Sequence, residues 1–251
     1  MASRPFKKAG FRQGIYEESA TRKETLGTLR ILQDGRKFRY AKAGSSALAA
    51  GKMAVAAAIA THVKDETCPT TAVGTKVITL TCDSTTYAQD YFKGGLFSIT
   101  DAAGEGHSYP INGSSAVAAS TSITVSLDEG IRVALTTSSE YTLLHSPWMA
   151  TVESATEESC AVGITPIVVT AAYYYWAQTG GLAIALMAGT PAVGANLTLG
   201  DDAGSLLGVS NAATSSSGIT LDVLHLQPIV GYVFGTAGVD TEYQPVFLTI
   251  D

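Results

Sequence analysis

The sequence predicts an all-β, mainly β fold: a short-stranded barrel or sandwich core with an inserted small β unit and an extended N-terminal arm. Three observations predict it. Apolar and polar residues alternate with period two along many short stretches, as half-buried strands require. Clusters of Gly, Asn, Asp and Pro separate those stretches at fairly even spacing, which is the pattern of sandwiches and barrels. Positive charge gathers at one end: residues 1–43 hold 11 of the 16 Lys and Arg against four acids, a net +7, whereas residues 44–251 hold five bases and 18 acids, a net −13.

The first regular element follows the arm. Leu29 and Ile31 flank Arg30, Phe38 and Tyr40 flank Arg39, and Gln33-Asp34-Gly35 lies between the two runs. Asp-Gly between such runs predicts a hairpin over residues 28–42 with a type I′ turn, because Gly accepts the positive φ that the turn demands. Residues 16–25 read as a helical turn or extended chain. The Ala-rich stretch has helical propensity, but Gly51 interrupts it, so residues 46–51 read as a turn or short helix and 52–60 as a strand.

Further strands are expected around Ile78 and Leu80, around Ile123, Val125 and Leu127, around Ile131, Val133 and Leu135, and around Val246, Leu248 and Ile250. Residues 159–200 contain no charged side chain, but Pro166, Gln178, Gly180 and Gly181 interrupt them. No run reaches the ~18 apolar residues of a spanning helix. Ile167–Thr170, Tyr173–Gln178 and Leu182–Met187 read instead as strands buried on both faces. Breaks at Lys64–Pro69 and Ser146-Pro147 divide the chain into an arm, residues 1–24, a core from 25–65 and 147–251, and an inserted β unit, 66–146.

Only 15% of residues are charged, against about 25% in ordinary domains. A weakly charged exterior associates, so self-association is expected. The acidic body disfavours nucleic acid, which needs phosphate attraction. Cys68, Cys82 and Cys160 lack disulfide or zinc spacing. The N-terminus has no apolar run behind its charges, so folding in the compartment where the chain is made is expected.

Motifs that carry chemistry are missing or weak. His62, His107, His145 and His225 have no partners at ligand spacing, and there is no G-x-S-x-G elbow or P-loop. Glu105 near His107 reads as a hairpin turn, and Asp201-Asp202 as a solvated turn without the order of a calcium loop. The expectation is no enzyme, no catalytic residues, no cofactor and no metal. Two groups of residues are candidates for binding instead. Arg4, Lys7, Lys8 and Arg12, interleaved with Phe6, Phe11 and Tyr16, suit an arm that orders on docking to a partner. Tyr173, Tyr175 and Trp176 suit a subunit interface.

A resemblance adds to this. Leu26–Gly44 followed by Ala47–Lys52, then Tyr91–Phe97, Gly104–Ile111, Ala171–Gly181 and Gln227–Tyr232 resemble segments of the cement, or decoration, proteins of tailed bacteriophage capsids. The resemblance implies a structural protein of the virion, made in the host cytoplasm, that assembles as a trimer and is seated on the capsid exterior against the major capsid protein. It implies stabilisation of the expanded, DNA-filled head, with no direct nucleic-acid binding and no membrane. A receptor-binding or fibre-associated β protein of the virion would share the composition, and a polysaccharide-degrading enzyme would need paired carboxylates on facing strands.

Overall fold

A computed structural model of the chain describes residues 10–60, 63–82, 86–118, 122–156, 159–209 and 228–251. Arg4, Phe6, Lys7, Lys8, His62 and His225 lie outside them. The described residues form strands and turns without an α-helix. They divide into two compact units, one running to Ala56 and resuming at Ala150, the other Ala57–Met149. The sequence-based limits, 66 and 146, fall inside the second unit. Residues 57–60 and 63–65 belong with it because Val63 is 1% exposed in its core and Ala60 packs against that core.

In the first unit, β1 (Leu29–Ile31) and β2 (Lys37–Lys42) form the expected hairpin, with Arg30 opposite Phe38. The turn differs from type I′. Gly35 has φ +85° and its N–H donates to Leu32 O, while Asp34 is absent from the positive-φ residues. The Leu32 N–H donates to Arg36 O at 2.9 Å. This closes a three-residue loop in which one Gly, rather than two residues, carries the reversal.

Strands β3 (Met53–Val55), β10 (Ala161–Ile164), β11 (Tyr174–Ala188), β12 (Asn196–Leu199), β13 (Leu206–Gly208), β14 (Gly231–Val233) and β15 (Tyr243–Thr249) complete this unit. The order β11-β13-β12-β14-β15 closes through a β11–β15 pairing into a five-stranded barrel. The N-terminal half of β11 pairs with β2, with Trp176 opposite Tyr40, and the C-terminal half with β15, with Ala183 opposite Val246. The two runs separated by Gly180-Gly181 are thus one 15-residue strand, with a register shift between Gln178 and Gly180.

Three expected strands are corrected here. Residues 46–51 form a turn with a single bridge, Leu48 to Val169, and the expected strand 52–60 shortens to β3. Residues 167–170 contribute only that bridge, and Val168 is 67% exposed. Residues Leu182–Met187 are not buried on both faces: Ala183, Ala185 and Met187 point into the barrel, whereas Leu182 and Ile184 are half exposed. A barrel of five strands has a narrow interior, and its inward positions take small side chains where strands crowd.

The second unit is one antiparallel sheet in the order β4-β9-β6-β7-β8-β5, from β4 (Glu66–Thr67), β5 (Val77–Thr81), β6 (Leu96–Asp101), β7 (Ser108–Ser114), β8 (Ser122–Leu127) and β9 (Glu140–Leu144). Alternating Ile78, Leu80, Ile123, Val125, Phe97, Ile99, Tyr109 and Leu143 fill its core. Residues 131–135 are not a strand. Ile131 and Leu135 are buried while Arg132, Val133 and Ala134 bulge outward, and the segment touches Thr71 through one bridge.

Asp251 closes the first unit's surface. Arg39 grips its carboxylate with Nε and Nη2 at 2.8 and 2.9 Å, and this bonding holds the carboxyl below its ordinary pKa against the opposing effect of burial. A carboxyl lowered on folding stabilises above its unfolded pKa of about 3.9, and that contribution disappears as pH falls through the lower folded value. Asp251→Asn is therefore expected to cost about 0.5–1 kcal/mol at pH 7. Urea midpoints of the two proteins should converge at pH 2.

Candidate functional site

The arm meets the body at Gln13, which is 3% exposed. Its side-chain amide donates to the carbonyls of Glu17 and Tyr174 at 2.7 and 2.9 Å, and its Oε1 accepts from the Tyr40 hydroxyl at 2.7 Å. Its backbone carbonyl accepts from Trp176 Nε1 at 3.1 Å and from Arg30 Nη1 at 2.9 Å. A buried amide with these partners satisfied fixes the chain to one position, since each partner would otherwise be left unpaired in a dry site.

Two further contacts extend the anchor. Ser19 and Tyr174 exchange backbone hydrogen bonds at 3.0 and 2.8 Å. The Glu18 carboxylate accepts from the Thr170 N–H and hydroxyl at 2.5 and 2.8 Å. Residues 10–24 are consequently extended and turned rather than helical, and they are part of the first unit's structure.

The sequence-derived candidates are distributed as follows. Phe11 is 41% exposed, with its ring edge-on to Trp176 at 5.2 Å and the Arg30 guanidinium 4.8 Å from its centroid. Arg12 is exposed, and its backbone N–H donates to Glu24 Oε1. Tyr16 is exposed and its hydroxyl accepts from Arg36 Nη1 at 3.1 Å. Tyr175 and Trp176 are 0% exposed and so are not a subunit interface. The β2 and arm residues cover Trp176, joined by Phe38 and Tyr40 in one cluster, and Tyr175 meets the Thr151 hydroxyl at 2.9 Å. Burial pushes the Tyr175 phenol well above its ordinary pKa. Tyr173 is half-buried in the turn before β11.

Much of the basic charge is engaged locally. Arg36 pairs with Asp34 at 2.8 Å, Arg39 with Asp251, and Lys42 lies 5.4 Å from the Tyr174 ring centroid, where burial lowers its pKa. The positive field of residues 1–43 is therefore smaller than the sequence count suggests, by charge engaged on the hairpin rather than on the arm.

Sequence reasoning missed an apolar groove of about 750 Å³ on the first unit. Leu182 and Ile184 of β11, Tyr243 and Pro245 of β15, and Val168 line it, with Tyr16 and Arg36 among its residues. Leu182, Ile184, Val168 and Tyr243 are 49%, 52%, 67% and 47% exposed, an apolar concentration that marks interaction surfaces. The signal was present in Leu182-Ala-Ile-Ala-Leu as an alternation of large and small residues. It is hard to read because both faces are apolar.

This surface offers apolar area, two aromatic rings and a guanidinium, which suits adhesion. Among the described residues, no group of three or more His, Cys, Asp or Glu side chains could hold a metal ion, and no helix is long and apolar enough to cross a membrane. Comparison of the chain with models of known protein families, with curated proteins and with solved structures gives no match.

Proposed function

We propose that the chain is a structural protein of a virion, a cement or decoration protein that binds the outer surface of the major capsid protein shell. The observation that carries this reading is the position of Tyr16, which belongs both to the anchored arm and to the lining of the apolar groove. A basic leader and an adhesive patch thereby meet on one unit, and a partner contacting both gains from linked binding. The resemblance in sequence supports the same reading, with trimers of the chain and an acidic partner surface as its corollaries.

The mechanism is physical. A protein that binds the expanded lattice and not its precursor stabilises the expanded state by mass action. Apolar contact at Leu182 and Ile184 would supply area, and Arg4, Lys7 and Lys8 would draw the leader to negative charge with a strength that salt screens.

The test is binding to empty expanded shells built from the same virus's major capsid protein. Removal of residues 1–9 leaves Gln13 and its bonds in place, so the truncated body should remain folded. It is expected to bind at least tenfold more weakly at low salt, with the difference shrinking as salt rises. Ile184→Asp should weaken binding at every salt concentration. Undiminished binding by both variants, or no saturable binding by the intact protein, would refute the proposal.

A further inference from the structure

The sheet of the second unit has two edges, and they differ. At one edge β4 is two residues long, carries Glu66 and follows Lys64 and Asp65. Short length and charge are ordinary guards against pairing with another chain. At the far edge β5 runs for five residues, Val77-Ile-Thr-Leu-Thr81, without a charge, a proline, a glycine or a shift of register. Its exposed side chains are Val77, Thr79 and Thr81, all of them β-branched and suited to a strand.

The hydrogen-bond ladder shows which backbone groups that edge offers. The Leu127 N–H donates to Lys76 O, and β5 follows in unbroken register against β8. Bonded and non-bonded positions alternate in an antiparallel pair. Ile78 and Leu80 therefore direct their N–H and C=O groups to β8, whereas Val77, Thr79 and Thr81 direct theirs away from it. The residue opposite Thr79 agrees, because the Thr124 C=O turns to the other side and accepts from the N–H of Ser115, which follows β7. Among the described residues, nothing bonds the outward backbone groups of Val77 and Thr79, and the Thr81 carbonyl accepts from the Tyr141 hydroxyl at 3.1 Å. A carbonyl has two lone pairs and can take a second donor.

We propose that this edge pairs with the same edge of a second copy of the chain, antiparallel about a two-fold axis through Thr79. In that register Thr79 faces its counterpart and Val77 faces Thr81 of the second copy, so every outward N–H meets an outward C=O. The three facing pairs exchange two hydrogen bonds each, and the exposed Val and Thr side chains continue as one β-branched row across the junction. A second copy is the occupant because an uncharged edge gives a charged foreign segment no electrostatic advantage, while its own copy matches it group for group. Area sets the strength: at one hydrogen bond per ~100–200 Å², six bonds correspond to about 600–1,200 Å², which reaches only the lower limit of ~1,200 Å² for a stable specific complex. The pairing is therefore weak in dilute solution and strong where copies are held side by side. It is isologous and occupies both β5 edges, and the guarded β4 edges stop the joined sheets from growing further. It does not depend on the capsid reading, since the free protein is the species tested.

The experiment follows the mass of the full chain by sedimentation up to about 1 mM, the weak end of the affinity scale. The wild-type mass is expected to double with concentration. Thr79→Pro removes an outward N–H and no bond to β8, a place where an edge strand accepts proline. It should weaken association at least tenfold while the circular dichroism stays that of the wild type. Cross-linking reads the register. With the exposed Cys160 replaced by Ser, the remaining cysteines, Cys68 and Cys82, are buried. Thr79→Cys then places one thiol on each side of the axis with Cα atoms about 5.5 Å apart, inside the ~4.4–6.8 Å range of a disulfide. Oxidised glutathione should convert this variant to covalent dimers. Val77→Cys should not cross-link, because its counterpart lies about 13 Å away along the strands. A wild-type mass that stays constant with concentration, association that Thr79→Pro leaves intact, or equal cross-linking at the two positions overturns the proposal. An edge reserved for a foreign strand gives the first of these results.

Discussion

Gly95→Ala is expected to destabilise the second unit by more than about 4 kcal/mol, the range reserved for severe steric or packing defects. Gly95 sits just before β6, where Leu96 pairs with Leu144. A Cβ built on it would overlap the carbonyl oxygen of Leu144 and approach the His145 Cα at 2.9 Å. Both obstacles are backbone, so no side-chain rotation relieves them. The Gly95 N–H also donates to Phe92 O, and its carbonyl accepts from Ile111 N–H at 3.0 Å, which ties it to the chain on two further sides.

Separation of β6 from β9 would open the Phe97, Tyr141 and Leu143 packing, all of which are at most 1% exposed. Hydrogen exchange should therefore show lost protection at residues 96–99 and 141–144. Gly113→Ala is the matched control, since its Cβ would meet only the Asp90 Oδ1 at 3.2 Å, the end of a side chain that can turn. If Gly95→Ala melts with the wild type, the β6–β9 register described above is wrong.

Gln13→Ala should cost the first unit about 2–3 kcal/mol, most of it from the Tyr40 O–H left without an acceptor. Tyr40 would still accept from the Lys23 N–H at 3.1 Å, and the Tyr174 carbonyl would keep its bond from Ser19. The loss thus concentrates on one buried donor and on the space the amide vacates. Urea denaturation measures the cost, and limited proteolysis should cut residues 10–24 faster. Tyr40→Phe in the same chain removes the stranded donor, so the double variant should be less destabilised than the sum of the single ones. Additive losses would show that the Gln13–Tyr40 bond contributes nothing.

The strands were legible where one face is polar. Ile78-Thr-Leu80 and Ile123-Thr-Val125 alternate visibly, and their buried positions match the apolar ones. Legibility failed where both faces are apolar or small. Along Leu182–Met187 nothing local shows that the larger residues face outward, because that depends on the width of a barrel closed by residues 57 to 65 positions away. It failed also at Ile131–Leu135, where the pattern fits a strand but no neighbouring strand pairs with the middle of the segment.

The candidate site was legible only in outline. Basic and aromatic residues near the N-terminus pointed to an arm, but Gln13 carries no local mark of burial. Its partners Tyr174 and Trp176 lie more than 160 positions along the chain. Tyr175 and Trp176 read as interface residues because large aromatics suit interfaces and interiors equally. Only the arm and β2, packed across them, decide between the two.

The attachment of the leader to β11 has a mechanical corollary. Ser19 is bonded to Tyr174, the first residue of a strand that runs on without a break as a stave of the barrel. Tension on the leader would pass through that junction into a stave held laterally by β2 and then β15, whose cross-strand hydrogen bonds lie transverse to the strand. Loaded along the strand, those bonds resist together as a lap joint does, instead of parting one after another like a zip.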